Sequence, residues 1–422
     1  PEEEVTRRTI MRYYKRKNPM LVREMIRNVY KECKGVPKSS CLTKEQRLSL
    51  QMDEFMNRRY EFRYNTQIGE VEYRERFSFQ FYFHPIDKRA QNSIMLDAQS
   101  EGIGVWDRDI DRYLHSNRVP IYNPLEEFLF HLPHWDGKDR IHALANRVPC
   151  KNPHWELLFH RWFLNMVSHW RGVDKMHANN TSPILVGAQG THKSTFCREM
   201  IPPALRAYYT DSIDFSQKRD AELYLNRFAL INIDEFDQIT LPQQGFLKHI
   251  LQKPVVNLRK PHGRSVLELQ RYASFIGTSN QKDLLTDPSG SRRFICIEVT
   301  GNIDTTQPID YEQLYAQAIH EIYHGERYWF DSEDEQIMTE NNREFEQTPA
   351  MLQLFYQYFK AAQTKEEGEF LTPVEILNFL KKKSGISLSD NKVYHFGRLL
   401  QKCGIPSKHT YKGTVYQVIK VL

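Results

Sequence analysis

Short apolar runs alternate with helical stretches between positions 184 and 300, the pattern of a sheet buried on both faces between helices. The runs are 184–186, 228–233 and 274–278, each short and bounded by polar or turn residues. Upstream, the aromatic-rich stretch 155–170 is expected to be a helix, and 310–330 reads as another. Near the start, Val22, Met25, Ile26 and Val29 recur at i, i+3, i+4 and i+7, so residues 1 to about 60 are expected to be helical. Residues 60–64 and 71–74 alternate around a polar turn and predict a hairpin; 77–83, ended by His84 and Pro85, predicts one more strand. Asn123 followed by Pro124 is a cap with a first-turn proline. Asp136 before Gly137 signals a turn, Ile141 opens a further helix, and Asn152 before Pro153 marks a boundary. The acidic stretch 331–346 is expected to be an exposed helix or linker. Thr372 and Pro373 then cap a helix, a second helix covers 391–400, and 405–421 reads as a short β-wing. The expected division is a mixed α+β region with a basic arm at 1–150, an α/β domain at 151–345 and a small winged-helix-like domain at 346–422.

Composition adds little to this picture and excludes some classes. With 40% hydrophobic and 12% aromatic residues, the 422-residue chain can build real cores and is not a disordered polymer. No run reaches the ~20 apolar residues of a membrane helix, so no membrane role is expected. The first residues contain no apolar signal-peptide core, and Pro1 in place of Met fits a start inside a longer protein. The six cysteines form neither a CxxC pair nor a zinc-finger spacing with histidine; they read as free thiols in a reducing, cytoplasmic setting. A net charge of +5 only weakly favours a nucleic-acid partner. Its distribution says more: Arg7, Arg8, Arg12, Tyr13, Tyr14, Lys15, Arg16 and Lys17 mix cations with rings, which can grip phosphates and stack on bases, although such runs are commonly solvated helix faces.

The most informative chemistry follows the 184–186 run. Gly187, Ala188, Gln189, Gly190, Thr191, His192, Lys193, Ser194 and Thr195 lead from a strand into a helix, the context of a phosphate-binding P-loop. In such a loop, backbone N–H groups and the following helix's first turn surround the phosphates. Lys193 would contact the β- and γ-phosphates of ATP, and the Ser194 hydroxyl would ligate Mg²⁺. His192 stands where the pattern GxxxxGK[ST] has glycine, so the loop taken alone is a degenerate match.

Downstream positions strengthen it. The run 228–233 ends in Asp234 and Glu235: Asp234 suits a Mg²⁺ ligand, Glu235 a base that orients the attacking water. The run 274–278 is followed by Ser279 and Asn280, and Asn280 fits a polar sensor beside the γ-phosphate. Arg292 and Arg293, between a turn and an apolar strand, suggest an arginine finger, with Arg292 preferred; a salt-bridged strand edge is the plainer alternative. Between these motifs, 255–269 predicts a hairpin whose basic tip holds Arg259, Lys260, His262 and Arg264. One tip per subunit lining a ring would touch DNA phosphates without reading sequence. In the terminal unit Lys392, His395, Arg398, Lys408, His409 and Lys412 are candidate phosphate contacts.

The order of these motifs resembles that of viral superfamily-3 helicases. More closely, residues 123–330 resemble the virulence-associated protein E family, in the Asn123 and Pro124 pair, the Trp135-Asp136-Gly137-Lys138-Asp139-Arg140 run and the Gly290-Ser291-Arg292-Arg293-Phe294 run. That family resembles AAA+ helicases of phages and mobile elements. The resemblance implies an α/β P-loop NTPase core, ATP and Mg²⁺ as cofactors, and single-stranded or forked DNA as partner. It also implies a hexameric ring and work beside a primase or other replication proteins. The expected function is an ATP-dependent DNA helicase or replication initiator. Two other readings remain open: a DNA-binding assembly module with slow or no ATP turnover, suggested by His192, and a small-molecule kinase, against which the hairpin insertion speaks.

Overall fold

The computed structural model describes residues 43–79, 81–172, 176–258, 267–285, 292–347, 350–362, 368–385, 393–411 and 413–421. The basic residues of 7–17, the hairpin-tip residues Arg259, Lys260, His262 and Arg264, and Gly290, Ser291, Lys392, Lys412 and the His395 side chain lie outside the described residues. The chain divides into two compact units, 1–123 and 124–422. No helix among the described residues is long and apolar enough to cross a membrane.

In the first unit, α1 (Lys44–Arg59) starts at a Thr43 capping box closed by Gln46. Strand β1 (Tyr60–Asn65) pairs antiparallel with β2 (Glu70–Glu75), as the alternation predicts. One face carries Tyr60, Phe62, Val71 and Tyr73 into a core with Met52, Phe55 and Met56 of α1. The other face carries cross-strand ion pairs, Arg63 with Glu72 at 2.6 Å and Arg74 with Glu61 at 2.6 Å. Among the described residues the strand expected at 77–83 does not form; on its other edge from β1, β2 pairs with the two-residue β3 (His84–Pro85). Arg76 ends the sheet: its N–H donates to the Arg59 carbonyl, and its guanidinium to the Asn57 and Tyr60 carbonyls. The chain turns out there and leaves Phe77, Phe79, Phe81 and Tyr82 exposed. Helices α2 (Lys88–Ser100) and α3 (Asp107–Leu114) cover the apolar face, and β4 (Ile121–Tyr122) joins β1 in parallel.

The second unit begins with α4 (Pro124–Phe130), α5 (Arg140–Ala145) and α6 (Trp155–Trp170). Residues 124–150, grouped with the N-terminal region by the sequence, therefore fall in the second unit. A parallel five-stranded sheet follows, built from β5 (Ser182–Val186), then α7 (Lys193–Glu199), β6 (Tyr209–Thr210), α8 (Lys218–Arg227), β7 (Leu230–Ile233), α9 (Leu241–Leu251), the hairpin β8 (Val255–Leu258) and β9 (Leu267–Gln270), β10 (Ser274–Ser279) and β11 (Phe294–Glu298). The spatial order is β11-β5-β10-β7-β6, and β8-β9 form a separate pair. All residues of β5, β7 and β10 are buried, as expected for parallel strands covered on both faces. α8 and α9 pack on this sheet with Ile231, Ile233 and Phe275, and α6 packs against β5 and β11.

Helices α10 (Tyr311–Tyr323) and α11 (Ser332–Asn341) follow the sheet in sequence. α10 explains the 135–140 run. The Gln313 amide oxygen accepts the Asp136 N–H, and the Gln317 oxygen accepts the Arg140 and Ile141 N–H groups. Gln317 also donates to Asp139, while Asp136 holds the Arg140 guanidinium. The run is thus a clasp on two glutamines one helical turn apart. Segment 331–346 is not merely an exposed helix or linker: Asp334 is buried between Arg161 and Arg327, which docks α11.

The terminal part holds α12 (Ala350–Tyr358), β12 (Phe359–Ala361), β13 (Glu369–Leu371), α13 (Pro373–Ser384), α14 (Val393–Lys402), β14 (Ser407–Thr410) and β15 (Gly413–Lys420). It has its own core, with Phe355, Ile376, Leu380, Phe396 and Leu400. Its β14-β15 hairpin lies where the sequence places a wing.

Arg271, at the foot of the β8-β9 hairpin, is fully buried and meets no carboxylate among the described residues. Its guanidinium donates to five carbonyls, of Ala273, Ile250, Leu251, Lys253 and Asn179. Burial pulls its pKa down to about 9, which still leaves it charged at neutral pH. The charge also faces the C-terminal carbonyls of α9, where a cation is favoured. We expect Arg271→Leu to destabilise the second unit by about 3 kcal/mol or more, because several buried carbonyls lose their donor. Urea unfolding checks this, and an unchanged midpoint would remove the anchoring role.

Candidate functional site

Strands β5, β7 and β10 lie side by side and parallel, so their carboxyl ends deliver three loops to one edge. β10 sits between the other two although it comes last in sequence. Ligands of open parallel sheets bind at such edges, where strand connections diverge. Close strand contact requires glycine at 277: a Cβ there would meet Ile184 Cδ1 at 2.8 Å and the Ile233 carbonyl at 3.2 Å.

The loop 187–192 leaves β5 at this edge. The Gly187 N–H donates to the Ser279 carbonyl at 3.0 Å, tying the loop to the tip of β10. A Cβ at Gly187 would approach the Val299 carbonyl at 3.0 Å, so glycine fits the tight passage. Gly190 has φ +83°. His192 has φ 65° and ψ 22°, a left-handed conformation, at the position where the sequence pattern expects glycine. The loop thus has the backbone shape that glycine would supply, at a steric cost of roughly 1–2 kcal/mol.

Lys193 is buried, and its Nζ folds back onto the loop. It donates to the Gly187 and Ala188 carbonyls at 2.7 and 2.8 Å and reaches Asn280 Oδ1 at 3.2 Å. Burial lowers its pKa from the ordinary lysine value, and the Asp234 carboxylate opposes that shift. Ser194 Oγ donates to Asp234 Oδ1 at 3.0 Å. The same oxygen accepts from Thr278 Oγ1. Lys193, Ser194, Asp234 and Asn280, chosen from separate stretches of sequence, are therefore brought to one edge as two hydrogen-bonded pairs, Lys193 with Asn280 and Ser194 with Asp234. Glu235 follows Asp234 at the exposed rim, with φ 53°. His192 and Glu235 are the non-glycine residues with positive φ among the described residues, and both border this group. Backbone strain of this kind concentrates at functional sites.

Two contacts escaped the sequence reading. Thr278 bridges β10 to Asp234, and Ser279 Oγ donates to Asp237 Oδ1 at 2.9 Å. The second bond ties the turn after Glu235 to the tip of β10. The available signal was a polar Thr-Ser pair at the end of a buried run. Arg292 is engaged elsewhere in this chain: its Nη1 pairs with Glu335 Oε2 of α11 at 2.9 Å. Arg293 is half-buried.

The donor chemistry fits magnesium and a polyphosphate. Ser194 and Asp234 offer adjacent hard oxygens of the sort that hold Mg²⁺ together with retained waters. Lys193 and the loop N–H groups suit phosphate oxygens. Among the described residues no cluster of three or more His, Cys, Asp or Glu gathers to hold a metal by protein ligands alone.

Fold and site together define an α/β protein whose main parallel sheet carries a polar group at the carboxyl ends of its three central strands. A family profile described as "Virulence-associated protein E-like domain" matches residues 129–347, and the chain belongs to that family. A second profile, described as a domain of unknown function from B. Theta (DUF3874), matches residues 348–418. No curated protein matches the chain. Similar solved structures include the apo structure of the NrS-1 C terminal region (305–718), at 11% identity, covering 88% of this chain and 98% of that one with a TM-score of 0.44. The A form apo structure of the same region covers 88% and 99%, at 11% identity and a TM-score of 0.43.

The left-handed backbone at 192 makes a sharp expectation. His192→Gly should keep the fold and bind Mg-ATP at least as well as the parent chain, whereas His192→Val should weaken binding about tenfold or more, since a branched Cβ resists this conformation. Calorimetric titration reads both; equal affinities for the two variants would show that the loop backbone does not govern binding.

Proposed function

We propose that this protein is an ATPase of the AAA+, superfamily-3-like P-loop kind that acts on DNA in replication, working as a ring oligomer. What carries the reading is the convergence of Lys193, Ser194, Asp234 and Asn280 on one edge of the parallel sheet. Under this reading ATP with Mg²⁺ supplies the scissile phosphoanhydride and a counter-charge for it. Lys193 leaves the loop carbonyls to bind phosphate oxygens, with the N–H groups of 187–192 around them. Ser194 and Asp234 hold the metal, with Thr278 fixing the carboxylate. Glu235 orients water and takes its proton, and Asn280 positions the same water. Arg292, or Arg293, completes the site of the adjoining subunit.

The other assignments follow from the same scheme. Residues 151–345 with the preceding helices form the motor, and the β8-β9 stems carry the basic tip of Arg259, Lys260, His262 and Arg264 toward DNA phosphates. Residues 346–422 act as a winged-helix-like module, their helix–helix–hairpin order being the supporting feature. There Arg398 lies over the Tyr394 ring and Lys408 over Phe370, so both cations have aromatic neighbours near the hairpin and α14. A partner primase and a phage or mobile-element setting belong to this reading, as does action on single-stranded or forked DNA.

Glu235→Gln should lower ATP turnover by ~10²-fold or more while leaving nucleotide affinity nearly unchanged. Lys193→Ala should weaken affinity itself. Turnover at the parent rate in Glu235→Gln would displace Glu235 from the proposed role. Measuring turnover with and without single-stranded DNA then separates two readings, because strong stimulation supports a motor. ATP-dependent assembly without turnover would instead support a nucleotide-regulated DNA-binding module, the alternative that His192 suggests.

A further inference from the structure

We infer a second nucleic-acid contact, in the N-terminal unit and independent of the nucleotide site: a cleft between α1 and α3 that takes one unit of a single DNA strand. The cleft measures about 650 Å³. Buried Met52 and Tyr113 are among the residues that line it. At its rim stands Trp106, the N-cap of α3, with 64% of its surface exposed. An indole left this open in a unit with a formed core offers a flat face of the kind on which a base stacks.

The lining charge selects the ligand. Four cations line the cleft, Lys44, Arg108, Arg112 and Arg118, against two carboxylates, Glu45 and Asp109. Asp109 is already committed: it accepts the Trp106 N–H at 3.0 Å, and its other oxygen meets Arg112 at 3.4 Å. Arg118 is held by Asp53. Lys44 and Arg108 have no carboxylate partner among the described residues, so their charge is available to a ligand. Arg108 and Arg112 are four residues apart on α3 and share a helix face. An exposed ring beside uncompensated cations matches a base linked to phosphates. An acidic peptide would use the cations but gain little from the ring.

The proposal requires no nucleotide and is tested without it. A fluorescently labelled thymidine-only 15-mer is titrated with the full chain by anisotropy, at several salt concentrations. Trp106→Ala should weaken binding ~10-fold, and Trp106→Phe should restore most of it, because stacking tolerates either ring. Arg108→Glu combined with Arg112→Glu should weaken binding further and reduce the slope of log affinity against log salt by about 1.4, from two lost single-strand phosphate contacts. The three side chains Trp106, Arg108 and Arg112 are exposed, so a melting curve should show each variant folded. The titration contains no ATP, so its outcome is separate from that of the ATPase reading, which the turnover of Glu235→Gln tests. Parent-like affinity and salt slope in the Trp106→Ala and double-arginine variants would overturn the proposal. So would displacement of the oligonucleotide by poly-glutamate with an affinity that Trp106→Ala leaves unchanged, which would assign the cleft to an acidic protein partner.

Discussion

A carboxylate that accepts hydrogen bonds from two sides fixes the distance between the segments that supply them, and Asp234 stands in that position. Ser194 reaches it from the start of α7 and Thr278 from β10, while Asp234 itself directly follows β7. The site therefore depends on β5 and β7 flanking β10 closely. That closeness rests on Gly277, where a Cβ would strike Ile184 and the Ile233 carbonyl. Widening the sheet at this point would separate Lys193 from Asn280 and Ser194 from Asp234 together. The parallel core and the polar group at its edge are in this sense one construction.

The legible parts of this chain were those whose signal is local. Apolar runs ending in polar residues located β5, β7 and β10, and a glycine-bearing loop before Lys193 and Ser194 located the edge where they meet. The α1-β1-β2 segment and the C-terminal helices and hairpin were legible for the same reason, since caps and alternation act over a few residues. What the sequence hid was set by distant partners. Segment 77–83 alternates like a strand, but Arg76 is captured by carbonyls at the end of α1, a contact no local pattern encodes. The 135–140 run was visible as a motif without a purpose; its glutamine partners lie 177 positions away. Arg271 carries no signal of its role in the sequence, because its five carbonyl acceptors come from segments on either side of it.

His192 shows why a motif and its geometry should be judged apart. The pattern asks for glycine because glycine occupies the left-handed region without cost, but the physical requirement is the conformation and not the residue. A histidine can meet it when neighbouring bonds hold the chain, here from Gly187 to Ser279 and from Ile303 to Thr191. Glu235 meets a similar demand, with the Asp237–Ser279 bond just beyond it. Both strained residues are thus flanked by ties to the tip of β10 or the segment after β11. The strain is sustained by the framework, which is the relation expected where a site is preorganised.

The arginine pair can be weighed on the same scale. Arg292 is exposed and bound to Glu335, which matches the plain strand-edge alternative. That observation does not decide against a role in a neighbouring subunit. An exposed ion pair contributes about 0–1 kcal/mol, so its rupture is a small cost. A guanidinium placed against a developing phosphate charge in a water-poor interface gains more than that. Under the proposed ring, the contact with Glu335 would be the resting state of a side chain that exchanges one anion for another on assembly. Under that proposal, the residue's pairing within a single chain and its use between chains would be successive states of one electrostatic preference.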